Sequence, residues 1–131
     1  MTMSEQAGRV ERLVIYLIKP SNYDEDGYVI RYWRGVLPSN TLSCLYGLTD
    51  DVRQRGVLGR RLAWRIELID ETVQRVNLRG ILRAGRRRGT KALVCLVGVQ
   101  SNQFARARDL ALACRAAGID VLIGGFHVSG S

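Results

Sequence analysis

One histidine, His127, and three cysteines, Cys44, Cys95 and Cys114, make up the imidazole and thiol content of this 131-residue chain. That stock limits the chemistry. A hydrolytic triad needs a nucleophile beside a base, and no G-x-S-x-G turn surrounds any serine. A lone imidazole is a poor metal site without companions, so His127 reads either as an isolated ligand or as a hydrogen-bonding group at a strand end. The cysteines are far apart and fall inside apolar patterns, which suits buried reduced thiols better than a disulfide framework or metal ligands. No G-x-G-x-x-G follows the first apolar run, so a dinucleotide fingerprint is missing. Where a receiver domain would carry a carboxylate, the chain has Gly98-Val99-Gln100. Ser39-Asn40-Thr41 is a weak and displaced echo of a flavin mononucleotide phosphate loop. The residues describe a binding module without reaction machinery of its own.

Four short stretches could bind a ligand, and each adjoins a predicted element. Pro20-Ser21-Asn22 follows the first apolar run, where proline stops the ladder and two small polar residues offer hydrogen bonds. Ser39-Asn40-Thr41 opens a helix, whose free N-H groups form an anion site by geometry. Gly98-Val99-Gln100-Ser101 follows the third run, and Gly124-Gly125-Phe126-His127 the fourth. The double glycine allows a sharp turn or close approach to a ligand. Between the first two stretches, Asp24 to Gly27 signals a turn, and Tyr28, Tyr32 and Trp33 concentrate aromatic surface. A loop insertion of this size is more often functional than decorative, although the same rings would serve as a plug for the end of the core.

The elements that must position these stretches follow from periodicity. Leu13 to Ile18 and Ala92 to Val97 are almost continuously apolar, the mark of parallel strands covered on both faces. Leu62 to Ile69 alternates, which predicts a strand nearer an edge; Val121 to Ile123 is a short buried run. A helix from Ser39 or Asn40 to Gly56 carries Leu42, Leu45, Leu48 or Thr49, and Val52 inward. A second helix, predicted to start at Asp70-Glu71-Thr72, turns Val73, Val76 and Ile81 inward and ends in an arginine cluster before Gly89; Gly80 and Gly85 interrupt it. A third, capped by Ser101 or Asn102, puts Phe104, Ala107, Ala111 and Cys114 on one stripe and Arg106, Asp109 and Arg115 away from it.

The alternation β-α-β-α-β-α-β predicts an α/β, Rossmann-like fold with right-handed crossovers and helices on both faces of a parallel sheet. The less hydrophobic second strand favours the flavodoxin-like order 2-1-3-4, with its switch point between the first and third strands. The binding crevice would lie there, beyond the carboxyl ends of the strands. Residues 1–11 are predicted to be a flexible tail and 12–131 one α/β domain, incomplete after its fourth strand. An uncovered apolar edge would follow, and with it self-association.

A composition 47% hydrophobic permits one real core. No apolar run approaches the roughly 20 residues needed to span a bilayer, and Met1 to Gly8 lacks a signal-peptide pattern, so the expected home is the cytoplasm. Twenty Lys and Arg against twelve Asp and Glu give a net charge of +8. Arg79, Arg83, Arg86, Arg87, Arg88 and Lys91 cluster, but no zinc spacing, helix-turn-helix signature or interleaved aromatics accompany them. A solvated helix end with arginines that suit its dipole explains the cluster better than nucleic acid does; an anionic polymer is the alternative partner.

Three segments together carry a family resemblance. Lys19-Pro-Ser-Asn-Tyr-Asp24, the stretch Asp26-Gly-Tyr-Val-Ile-Arg-Tyr-Trp-Arg34 running into Pro38-Ser-Asn-Thr-Leu42, and Gly124-Gly-Phe-His-Val-Ser-Gly130 resemble the amino-terminal cobalamin-binding domain of radical S-adenosylmethionine enzymes, from about Arg12 to the end. The resemblance implies a Rossmann-like, metal-binding domain holding cobalamin at the carboxyl ends of its strands. It also implies a following radical domain, as partner, with a 4Fe-4S cluster and S-adenosylmethionine. The corrin would be held by Pro20, Ser21, Asn22, Ser39, Asn40, Thr41, Gly98, Val99, Gln100, Ser101, Gly124, Gly125, Phe126 and His127, with Tyr28, Tyr32 or Trp33 walling it from water. Two departures follow. The D-x-H-x-x-G loop of methionine-synthase-type domains is replaced by Lys19 to Asp24 with no histidine, so no protein imidazole is expected beneath cobalt. The cysteines cannot form C-x-x-x-C-x-x-C, so this chain is a domain fragment that cannot run the radical reaction alone. The alternative is a degenerate docking domain without cofactor.

Overall fold

A computed structural model describes residues 10–30, 40–59 and 61–124. Four parallel strands, β1 (Arg12–Lys19), β2 (Ala63–Asp70), β3 (Thr90–Leu96) and β4 (Asp120–Ile123), form one sheet in the order β2-β1-β3-β4. The order is the one predicted from strand hydrophobicity. β1 and β3, the continuous apolar runs, take the interior, and the weaker β2 takes an edge.

Register divides the side chains into two layers. Leu13 lies opposite Trp64 and Lys91, and Leu17 opposite Leu68 and Cys95. One face therefore carries Leu13, Ile15 and Leu17, against which Leu42 and Leu45 of helix α1 (Asn40–Gln54) pack with Trp64 and Ile66. The other carries Val14, Tyr16, Ile18, Ala92, Val94 and Leu96. It is covered by Ile81 of α2 (Leu78–Arg86) and by Ala107, Leu110 and Cys114 of α3 (Phe104–Ala116). Two helices cover one face and one covers the other. Among the described residues, the face that packs on α1 is left thin over β3 and β4, where Leu122 is 60% exposed.

Three local expectations are corrected. The second helix does not start at Asp70-Glu71-Thr72: Asp70 closes β2, and the helix begins at Leu78, where Asn77 Oδ1 accepts from Gly80 N at 3.0 Å. The physical reason is an Asx turn, in which Asp70 Oδ1 accepts from Thr72 N at 3.0 Å and from Thr72 Oγ1 at 2.5 Å, folding back the residues that would have nucleated a helix. Val73 is accordingly exposed, while Val76 and Ile81 join the core. In α1 the inward stripe ends early, with Leu48 and Val52 exposed and Thr49 taking the inner position. A short 3-10 turn over Ser101–Gln103 precedes α3, so Gln103 rather than Ser101 or Asn102 stands at the helix cap; its Oε1 accepts from Gln100 N at 3.0 Å.

Gly85 inside α2 has a packing cause. A β-carbon there would come within 2.6 Å of Ile119 Cγ1 and 2.7 Å of its Cδ1. The helix and the segment leading into β4 approach so closely that a methyl group has no room.

Candidate functional site

The carboxyl ends of β1, β3 and β4 are tied together by backbone hydrogen bonds. Val97 N donates to Ile18 C=O at 2.8 Å, Gly124 N to Leu96 C=O at 2.9 Å, and Val99 N to Gly124 C=O at 3.0 Å. Gly98, with φ +63°, makes the turn that brings the chain from β3 across the sheet end. Beside this knot, on the thinly covered face, opens a groove of about 520 Å³ between α1 and the sheet. Its walls are mainly Leu17, Leu45, Cys95, Val97 and Leu122, with Gly98 and Gly124 at the rim. The groove sits where β1 neighbours β3, which is the topological switch point.

The lining is apolar and carries no ionised side chain. Thr49 Oγ1 is engaged, donating to Leu45 C=O at 2.6 Å. Burial pushes the Cys95 thiol above its ordinary value, which keeps it protonated and poorly nucleophilic at neutral pH. Among the described residues no group of three His, Cys, Asp or Glu side chains is placed to hold a metal ion. The groove presents a mainly apolar surface.

On the opposite face, the loop after β1 is held by a polar cluster that the periodicity does not reveal. Glu71 is fully buried. Arg106 of α3 clamps it with Nε at 3.0 Å from Oε1 and Nη2 at 2.7 Å from Oε2, and Ser21 N donates to Oε1 at 3.1 Å. The carboxylate raises the basicity of the guanidinium still further, and burial only partly offsets this. Tyr23 donates to Asp109 Oδ2 at 2.5 Å, and its ring lies 5.7 Å beneath the Arg106 guanidinium. Burial, then the bond to Asp109, raises the Tyr23 phenol above its usual range. Arg106 was expected to face away from the core stripe. It instead lies at the border of that stripe and turns to Glu71, because an unpaired carboxylate cannot stay buried.

The predicted site residues fall into distinct groups. Gly98 and Gly124 line the groove, and Val99, fully buried, secures its floor through the bond to Gly124. Pro20 and Ser21 are buried beneath the rim; Ser21 Oγ donates to Ile30 C=O at 2.5 Å, so its polar groups are already used. Asn22 is half-buried and its C=O accepts from Ile30 N. Gln100 and Ser101 are exposed at the same end of the sheet. Tyr28, 73% exposed, caps a tight hairpin in which Asp24 Oδ1 accepts from Asp26 N and Tyr28 N, each at 2.9 Å. Asn40 and Thr41 form the first turn of α1. Trp33, Ser39, Gly125, Phe126 and His127 lie outside the described residues, as does Tyr32. Glu71, Arg106, Tyr23, Leu45, Thr49 and Cys95 were missed. A charged residue immediately after a strand, and an arginine flanking an apolar helical stripe, are the signals that could have found the first two.

No protein-family model, curated protein or solved structure matches this chain. No helix among the described residues is long and apolar enough to cross a membrane.

Proposed function

We propose that this chain is the cobalamin-binding module of a radical S-adenosylmethionine enzyme, non-catalytic by itself and working in the cytoplasm. The observation that carries this reading is the apolar groove at the switch point, at the carboxyl ends of β1, β3 and β4. Its volume of about 520 Å³ lies within the range of small-molecule sites, roughly 300–1,000 Å³. A corrin exceeds the groove, so one edge or the nucleotide tail would enter it while the rest lay across the rim. The residues present fit that use. Leu17, Val97 and Leu122 would pack on apolar surface, and the backbones of Gly98 and Gly124 would approach closely. A β-carbon built on Gly124 meets nothing among the described residues within 4 Å.

When bound, the corrin supplies cobalt-centred chemistry for methyl transfer or carbon-skeleton rearrangement in the full-length protein. The chain's own residues bind it, orient it and exclude water from its buried edge. The Glu71-Arg106 clamp fixes the loop after β1 so that the rim keeps its shape. The 4Fe-4S cluster and S-adenosylmethionine would belong to the radical domain that the parent chain supplies, and the thin face over β3 and β4 offers that domain, or a second copy, a surface.

Reconstitution with hydroxocobalamin tests this. Corrin absorbance retained after desalting is the expected result, with about tenfold weaker binding after Leu122→Arg, equivalent to about 1.4 kcal/mol. Failure of the longer parent chain to retain corrin overturns the reading. The same exposed Leu122 also favours a second reading, a cofactor-free docking domain, in which Leu122→Arg abolishes partner binding and corrin is never retained.

A further inference from the structure

At the amino ends of the strands, opposite the apolar groove, lies a second groove of about 280 Å³ between α2 and strands β1 and β2. Four arginines from three segments line it: Arg12 on β1, Arg65 on β2, and Arg83 and Arg87 on α2 and its carboxyl cap. No carboxylate belongs to the lining. Arg65 is paired with Glu67 at 3.1 Å. Arg12, Arg83 and Arg87 form no ion pair among the described residues. Three uncompensated cations held around one hollow repel one another, and a bound anion relieves that repulsion.

A second feature belongs to the same lining. Thr90, also in the lining, has a hydroxyl oxygen shielded from solvent with no hydrogen-bond partner among the described residues. An unmade hydrogen bond of this kind carries a cost that a ligand oxygen would remove. Leu13, Val14, Ala63 and Ala84 add apolar atoms to the lining.

We propose that this groove binds a small phosphate-bearing molecule. Arginine forks match phosphate oxygens, and Thr90 would add a neutral donor only on turning its hydroxyl out of its shielded position. The helix dipole accounts for arginines on α2 but not for Arg12, which reaches the hollow from the sheet. A polymer would track the open surface through Arg86 and Arg88, which do not line the groove. The proposal is independent of the corrin reading, because the two grooves occupy opposite ends of the strands.

Titration calorimetry with inorganic pyrophosphate tests it. Saturable one-to-one binding is expected, weakened about tenfold or more in the double variant Arg83→Ala/Arg87→Ala, as loss of charge-assisted bonds requires. The control Arg86→Ala/Arg88→Ala should bind within about twofold of the parent, and both should melt with it, since all four side chains are exposed. No saturation, or equal weakening by both double variants, overturns the proposal. So does binding confined to single-stranded DNA that is lost with Arg86 and Arg88.

Discussion

Arg106 on α3 and Glu71 after β2 meet as a two-point fork, with Nε 3.0 Å from one carboxylate oxygen and Nη2 2.7 Å from the other. The pair is unequal in exposure: the Arg106 side chain is 19% exposed and that of Glu71 is 0%. Stranding the carboxylate is therefore worse than stranding the guanidinium. Arg106→Met should cost about 3–5 kcal/mol and Glu71→Gln less, with the double replacement Glu71→Leu/Arg106→Met milder than Arg106→Met. Urea unfolding of the four proteins checks the ranking. If Arg106→Met is no more costly than a surface change, the clamp contributes little.

Gly85→Ala tests the contact between α2 and the segment leading into β4. Helix propensity alone would make alanine better by about 1 kcal/mol. The overlap with Ile119 should reverse that sign and destabilise by about 1–3 kcal/mol, because the core cannot open for a methyl group. Ile119→Val beside it should recover part of the loss in a thermal melt.

The thiols should separate by reactivity and by pH. Cys44 is exposed, Cys95 half-buried and Cys114 buried, so iodoacetamide should modify them in that order. Burial raises the pKa of both Cys95 and Cys114 in the folded chain. Their contribution to stability is then complete below the unfolded-state value and is lost as pH rises through the folded one, a window opening above about pH 8.5. A Cys95→Ala/Cys114→Ala protein, though less stable overall, should show a flatter decline at alkaline pH in chemical denaturation. A ligand filling the carboxyl-end groove should also protect Cys95 and leave Cys44 unchanged.

At the acid side, Asp120 is the residue to watch. Its bond to Lys91 at 2.6 Å, with the attendant charge attraction, lowers its pKa. The stability it contributes is present above the unfolded-state value, about 3.9, and disappears as pH falls through the lower folded value. Asp120→Asn should remove that part of the acid limb. The pair is exposed, so the change in midpoint at neutral pH should stay small.

Much of the fold was legible because its main signals are local. Six consecutive apolar residues in β1 declare a doubly covered strand without reference to anything else, and β2's alternation declares an edge. Asp70-Glu71-Thr72 misled because a helix cap and an Asx turn use the same residue types, and the choice depends on where Glu71 can go. Its partner, Arg106, is 35 residues away, a distance at which periodicity is silent. Of the groove residues, Gly124 could be read as a sharp turn or a close approach. Cys95 and Leu45 looked like ordinary core, and only the thin cover that the described residues give β3 and β4 turns them into a wall.

β1 has a neighbouring strand on either side and Leu13 through Ile18 sealed between two layers, whereas among the described residues β4 has a neighbour on one side only. The backbone amides of β1 therefore have no route to deuterated solvent short of opening the whole sheet, while those on the outer side of β4 can exchange by peeling. Protection should fall stepwise from β1 outward to β4, so that the rim of the larger groove adjoins the part of the protein that yields first.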